Sequence, residues 1–374
     1  MPSNKIKILN VIPTFYFNGG IQHYVYDLLK NMDKTNLDLH VVGFDWNTDN
    51  KDTNASNSLE SNFNKYGITT HNLPNPNVSL FKFSNDLKTL FKNNDYDIVH
   101  VHTLGVAFII LLLAKKANIQ CRIFHAHETK YSDKILHRIR NTPLVFLSRI
   151  IATNYAAVSN EAGKAFFKKK KFDVIHPCID YLDYKYCKKD GINTRNALGI
   201  NSKTFVIGAA GRFCKAKNLE FAVKVFDKFN KVYKDSVLVL WGSGEKKNKY
   251  EKLIKKFKLD ECVIMPGVSD NLCGCYSACD IFVFPSLHEG FGLVAVQAQC
   301  NGLLTLVSNK VAKNCDVGSC KFLPLRTQEW VNVLKKETKS RNRHNNFDIH
   351  DFDCNDNAER LKKFYIRYGQ HNKD

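Results

Sequence analysis

Three short stretches of the sequence hold residues that could bind and activate an anionic substrate. The first is Gly211-Arg212-Phe213, followed by Lys215, Lys217 and Asn218, at the end of an apolar, strand-like run. Ligand sites of α/β proteins gather at such strand ends. Arg212 can fork across two phosphate oxygens and Lys217 acts as a point charge, so the group suits a diphosphate. The second stretch is Ser286-Leu287-His288-Glu289-Gly290-Phe291-Gly292-Leu293, between the apolar run DIFVFP and a helical segment. Gly290 and Gly292 permit close backbone approach. The N–H groups of Phe291, Gly292 and Leu293 open the next helix at its positive end. Glu289 has no cation beside it in sequence, which favours contact with a ligand hydroxyl. Gln297 falls about two turns later, within about 80° of the same helical face. The third stretch, Asn18-Gly19-Gly20-Ile21, sits between the first strand and the first helix, where backbone amides can meet an anion. It is not the dinucleotide fingerprint, because G-x-G-x-x-G is absent, and Gly242-Ser243-Gly244 also lacks the third glycine.

Each stretch also has a plainer reading: a tight turn, a basic turn on a basic protein, or a helix cap. The same weighing applies to residues with metal-ligand chemistry. His100 with His102, and His125 with His127, form two H-x-H pairs, each on one face of a strand by alternation, but at the ends of different strands. Cys273, Cys275 and Cys279 lack C-x2-C spacing and read as small buried apolar residues. The strings Asp95-Tyr96-Asp97 and Asp351-Phe352-Asp353 precede a strand and lie in a C-terminal loop, respectively, and read as solvated turns. No metal is expected.

Strand-like runs at IKILNVI, LDLHVVGF, YDIVHVH, CRIFHAH and YAAVS alternate with helix-length segments. That alternation argues for a parallel sheet in an α/β domain. The domain boundary is expected in the polar stretch KKDGINTRNALGINS, around Cys187–Ser202. A second series follows it: FVIGAAGRF, SVLVLWGSG, CVIMPG, DIFVFPS and LLTLVS. The expected organisation is two doubly wound α/β domains, residues 1–187 and 188–350, with a cleft between them. A closing amphipathic helix over Asn357–Tyr368 falls within a last segment, residues 351–374.

The chain has 374 residues, of which 44% are hydrophobic and 24% charged. This balance is that of a folded globular protein and excludes a disordered one. The longest apolar run, Val106–Ala114, is far shorter than the roughly 20 residues of a spanning helix. Twelve cysteines in a chain this long, with no cleavable signal pattern, read as reduced thiols of a cytoplasmic protein. The net charge of +19 implies anionic partners. Residues 130–171 concentrate it, with 10 basic and 2 acidic side chains interleaved with apolar ones. Such a segment suits the headgroup layer of an anionic membrane and a peripheral location at its inner face. No zinc finger, basic zipper or RNP-type motif accompanies the charge, so nucleic acid is not the expected partner.

Taken in order, GGIQHYVYDLL, DIVHVHTLG, RIFHAHET, AVSNEAG, VIHPCID, GRFCKAKN, WGSGE, EGFGLVAVQAQCNG, VSNKV, KFLPL, Trp330 and NAERLKKFYIRYG resemble one family across nearly the whole chain. It is the retaining GT-B glycosyltransferases of glycosyltransferase family four, especially those of bacterial capsular and exopolysaccharide synthesis. The resemblance implies two Rossmann-like domains, with the last helix returning to the N-terminal one. It implies that Arg212 and Lys217 bind the donor diphosphate and that Gly19 and Gly20 close over it. Glu289 matches the first carboxylate of the family's E-x7-E motif, at the donor sugar, while amides of Phe291, Gly292 and Leu293 hold sugar and phosphate. His127 matches a histidine near the sugar and acceptor, and Val268 meets the base through its backbone. The second carboxylate is replaced by Gln297, whose amide oxygen could still accept ribose hydroxyls. The usual N-G-I-D reads Pro177-Cys178-Ile179-Asp180.

The expected function is therefore hexosyl transfer from a nucleotide-sugar donor, with UDP the first choice, to a lipid-linked or cell-surface glycan acceptor, without metal or other cofactor. Two alternatives are a basic nucleotide- or nucleic-acid-binding protein without transferase activity, and a sugar-nucleotide epimerase or phosphorylase on the same architecture. Salt-sensitive binding to oligonucleotides without release of nucleoside diphosphate from a sugar donor would favour the first, and an acceptor-dependent product of higher mass separates the expected function from the second.

Overall fold

Short runs of aliphatic and β-branched residues, buried on both faces, are the signature of strands in a covered parallel sheet. The computed structural model, which describes residues 5–16, 20–45, 59–132, 135–338, 343–344 and 347–370, contains two such sheets. The chain divides into two compact units, residues 1–179 with 351–374, and residues 180–350.

The first unit holds β1 (Ile6–Val11), β2 (Leu37–Asp45), β3 (Thr69–Pro74), β4 (Ile98–Val101), β5 (Cys121–Ala126), β6 (Asn154–Ala157) and β7 (Asp173–Val174). All pair in parallel, in the order β3-β2-β1-β4-β5-β6-β7. The order reverses between β1 and β4, and the carboxyl ends of those strands are where such folds place ligands. The closing helix runs longer than its apolar pattern predicts, Cys354–Gln370, and belongs to this unit. Leu361, Phe364 and Tyr365 are buried along it, and it packs on β1, β4 and the helix Gly20–Lys30.

The second unit holds β8 (Phe205–Ala210), β9 (Ser236–Trp241), β10 (Val263–Gly267), β11 (Ile281–Phe284), β12 (Thr305–Ser308) and β13 (Cys320–Leu323), all parallel, in the order β10-β9-β8-β11-β12-β13. Its reversal lies between β8 and β11. Its core includes the fully buried Trp330 and Tyr250.

The polar stretch after residue 187 forms the helix Lys188–Ala197, and the two units divide at residue 180 rather than within that stretch. Polarity misled because this helix docks through backbone and hydrogen bonds rather than through an apolar stripe. A Cβ at Gly191 would lie 2.6 Å from the Ser277 carbonyl oxygen, and Arg195 donates to Ala278 O at 2.8 Å and to Asp280 Oδ2 at 2.9 Å.

Candidate active site

In the second unit, the turns that leave β8 and β11 lie side by side because those strands are neighbours. Asn218 Nδ2 donates to Pro285 O at 3.1 Å, and Leu287 N donates to Ala216 O at 2.7 Å. These bonds bring Lys217 to Glu289: Nζ donates to Oε1 at 2.8 Å and to Oε2 at 2.9 Å. The side chains are 20% and 11% exposed, so this pair is largely withdrawn from solvent. The cation absent beside Glu289 in sequence is thus supplied from the neighbouring strand end. Phe284, the last residue of β11, sets its ring 5.3 Å below the ammonium. Ser286 Oγ is buried in the same turn with no hydrogen-bond partner among the described residues.

Arg212 is arranged differently. It is exposed, and its Nη2 lies 3.5 Å from Glu245 Oε2, also exposed. A surface pair of this kind is worth about 0–1 kcal/mol, so it yields readily to a bidentate anion. The turn carrying Arg212 is held against the one after β9, where Gly211 N donates to Trp241 O at 3.0 Å and Phe213 N donates to Ser243 O at 2.7 Å. Gly242 permits this approach: its φ is +133°, and a Cβ there would collide with Gly211 O.

Phe291 and Gly292 are buried and Leu293 is half-buried at the start of the helix Leu293–Cys300, the position expected from the sequence. Gln297, on that helix, is engaged at both ends of its amide. Tyr276 Oη donates to its Oε1 at 2.9 Å, and its Nε2 donates to Tyr184 Oη at 3.0 Å. The oxygen read as awaiting a ribose is therefore already shared with Tyr276. Neither tyrosine was singled out in the sequence, and nothing in their spacing relates them to residue 297. Val268 follows β10 and is 70% exposed. Gly20 opens the helix Gly20–Lys30 and is exposed, whereas Gly19 lies outside the described residues.

In the first unit, the two H-x-H pairs end strands that are neighbours, β4 and β5, and therefore meet. His100 Nε2 lies 2.9 Å from His125 Nδ1, and His102 Nδ1 lies 2.9 Å from His127 Nε2. His100 Nδ1 lies 2.8 Å from Tyr365 Oη on the closing helix, and His102 Nε2 lies 3.2 Å from the Asn10 side-chain amide on β1. Tyr24 reaches His125 Nε2 at 3.3 Å from the helix Gly20–Lys30. Burial pushes His127 down to about 3, and burial also holds His100, His102 and His125 well below the ordinary imidazole range. His100, His102 and His125 gather nitrogens within 4.8 Å, a spacing open to a metal. Both ring nitrogens of each, however, already face a hydrogen-bonding neighbour.

The remaining motifs are structural. Asp97 Oδ2 accepts from Lys7 N at 2.8 Å, and Asp353 Oδ1 accepts from Asn355 N and Asp356 N at the start of the closing helix. Cys275 and Cys279 are buried and Cys273 is half-buried. The basic segment forms the helix Ile135–Ile151. Leu136, Ile139, Phe146, Leu147 and Ile150 are exposed on it, and at about 100° per residue they fall within an arc of about 100°. Asn141, Val145 and Ser148 on the opposite side are buried. Its apolar stripe thus faces solvent. Among the described residues no helix is long and apolar enough to cross a membrane.

A family model described as Glycosyltransferase Family 4 matches residues 18–181, and one described as Glycosyl transferases group 1 matches residues 191–318. The capsular polysaccharide biosynthesis glycosyltransferase CapH of Staphylococcus aureus is 26% identical over 96% of this chain and 99% of its own length. A UDP-Gal:alpha-D-GlcNAc-diphosphoundecaprenol alpha-1,3-galactosyltransferase of Escherichia coli is 27% identical over 64% of this chain and 65% of its own. Among solved structures, Anabaena Alr3699/HepE in complex with UDP-glucose superposes with a TM-score of 0.77 at 18% identity, covering 96% of this chain and 99% of the other. At that identity the likeness shows the fold, which is GT-B.

Proposed function

We propose, from the premise that this chain is a glycosyltransferase built of the two matched domains, that it transfers a sugar from a nucleoside diphosphate donor to a hydroxyl of a lipid-linked or cell-surface glycan, with retention of anomeric configuration. UDP is the nucleotide favoured by the UDP-Gal in the name of the galactosyltransferase and by the UDP-glucose bound to HepE. The acceptor class is favoured by the names of CapH and of that galactosyltransferase. The observation that carries the reading is the Lys217–Glu289 pair, at adjacent strand ends beside a glycine-rich helix start.

In this reading Lys217 and Arg212 neutralise the diphosphate, and the amides at Phe291, Gly292 and Leu293 add their dipoles. The bond from the anomeric carbon to the phosphate oxygen breaks, and the acceptor oxygen bonds that carbon on the same face. The acceptor proton passes to the leaving phosphate, so no protein base is needed. Glu289 orients Lys217 and receives sugar hydroxyls. Gln297 offers the second lone pair of Oε1 to the ribose, Val268 meets the base, His127 serves the sugar and acceptor, and Gly20 serves the diphosphate. Positive side chains supply the charge compensation that a metal gives elsewhere. The test is incubation with UDP-sugars and undecaprenyl diphosphate-linked saccharides. Acceptor-dependent UDP release, with a product anomer matching the donor, is expected. Product with the opposite anomer would end the retaining assignment, and no product with any donor would end the transferase assignment of this site. UDP should also raise the melting temperature above the effects of GDP, ADP and TDP, by the equivalent of about 2.7 kcal/mol at a hundredfold excess over Kd.

The helix Ile135–Ile151 is the part of this reading that meets the membrane. Its exposed apolar stripe is flanked by the exposed Arg138 and Arg140, and Lys168–Lys171 extend the charge. Basic residues near an anionic surface contribute about 1 kcal/mol each, and inserted apolar side chains add to that. Replacing Lys168–Lys171 with Gln, or Ile139 and Phe146 with Ser, should each reduce co-sedimentation with phosphatidylglycerol vesicles, while turnover of a soluble acceptor persists. Unchanged sedimentation of both variants would assign the patch another purpose.

A further inference from the structure

The four histidines, two tyrosines and Asn10 form one continuous chain whose proton positions can be counted. At its fixed end Tyr24 Oη donates to Ile175 O at 3.0 Å, and a carbonyl can only accept. Tyr24 has one proton, so in its 3.3 Å contact with His125 it must accept, and His125 carries its proton on Nε2. A neutral imidazole has one N–H, so His125 Nδ1 accepts from His100 Nε2–H at 2.9 Å. His100 Nδ1 is then bare and accepts from Tyr365 Oη–H at 2.8 Å.

The proton of Tyr365 is now used, yet the Asn10 amide lies 2.8 Å from the same oxygen. With Oδ1 at that position, Tyr365 would have to donate twice, or the order from Ile175 would break at Tyr24. That orientation also leaves Asn10 Nδ2 buried without a partner among the described residues. Turning the amide by half a turn restores the order of the chain. The nitrogen then donates one proton to Tyr365 Oη and the other to His102 Nε2, and the carbonyl oxygen takes the buried position that has no partner among the described residues. A buried carbonyl left short of partners is commoner than an orphaned N–H. His102 in turn donates from Nδ1 to His127 Nε2 at 2.9 Å.

We infer that Asn10, with its amide nitrogen turned toward Tyr365 and His102, is a positioning residue that fixes His127 as the Nδ1–H tautomer. The role of His127 at the sugar rests on the function proposed above, but the tautomer does not. The one acceptor nitrogen of His127 is occupied by His102, so the ring can offer a hydrogen bond to a substrate oxygen and cannot take a proton from one. The low affinity of His127 for a second proton, set by burial, agrees with this. Asn10, Tyr24 and Tyr365 act through His127 and need touch no substrate.

The experiment is long-range proton–nitrogen NMR of the full-length protein labelled with nitrogen-15 in histidine, at pH 7. The expected signatures are Nδ1–H for His102 and His127, and Nε2–H for His100 and His125. His127 observed as Nε2–H in the wild type would overturn the inference. Asn10→Leu cuts the chain in the middle: His102 and His127 should relax to a mixture containing Nε2–H, while His100 and His125 stay as they were, because Tyr24 still fixes them. An unchanged His127 signature in folded Asn10→Leu would also overturn it. In turnover, kcat of that variant should fall roughly tenfold, as one oriented hydrogen bond is lost, with donor Kd unchanged. If the tautomers are as expected but His127→Ala leaves kcat intact, the site assignment of His127 fails and the chain stands.

Discussion

Lys217→Ala should lower kcat/KM for the donor by about 10²–10³-fold, the range for losing one preorganised group that stabilises developing charge. Lys217 is the half-buried cation of the second unit that the strand ends aim at Glu289, and its bond lengths of 2.8 and 2.9 Å leave it little freedom. Removing it also leaves Glu289 as a largely buried carboxylate without that partner, which opposes binding of an anionic diphosphate. Glu289→Gln should lower the rate through the other partner, since an amide cannot accept from the ammonium at both atoms. Because the two residues touch, the double variant should be much less impaired than the product of the single effects. Arg212→Ala, whose side chain is exposed and weakly paired, should raise KM more than it lowers kcat. Steady-state kinetics of the four proteins decides the matter, and a Lys217→Ala rate within a few-fold of wild type would remove the residue from the active site.

Much of this arrangement was legible in the sequence, for identifiable reasons. Parallel strands buried on both faces announce themselves as short aliphatic runs, and the glycine-rich segments fall at their carboxyl ends. The Lys217–Glu289 pair was not legible as a pair, because the partners are 72 positions apart and meet only through the β8–β11 register. The same holds for the histidines. Alternation placed His100 with His102 and His125 with His127, but their union depends on β4 lying beside β5. Tyr365 looked like one more apolar position of an amphipathic helix, and only docking of that helix on β1 and β4 turns its hydroxyl toward His100. The helix after residue 187 was hidden because Gly191 and Arg195, rather than an apolar stripe, attach it. The bonds of Gln297 to Tyr184 and Tyr276 were not legible, since those tyrosines come from distant segments.

Acid should loosen the first unit before the second. Seven histidines of the first unit, the four of the chain together with His40, His71 and His176, are all shifted downward, in each case chiefly by burial. A histidine held neutral in the fold but free to charge in the unfolded chain contributes stability that is fully present above the unfolded value, about 6.5, and is lost as pH falls below it. Each contributes a slope of about 1.4 kcal/mol per pH unit until the folded group itself takes a proton, so several together are severe. Carboxylates do not share in this window, because their unfolded values lie near 4. Amide hydrogen exchange, corrected for its intrinsic pH dependence, should therefore show protection of β4 and β5 falling steeply between pH 6.5 and 5, while that of β8 and β11 changes little. His127→Gln should make the fall shallower by about one proton. Equal loss of protection in both sheets would mean that the neutral imidazoles do not govern acid stability, and that the chain they form is less costly to charge than its burial implies.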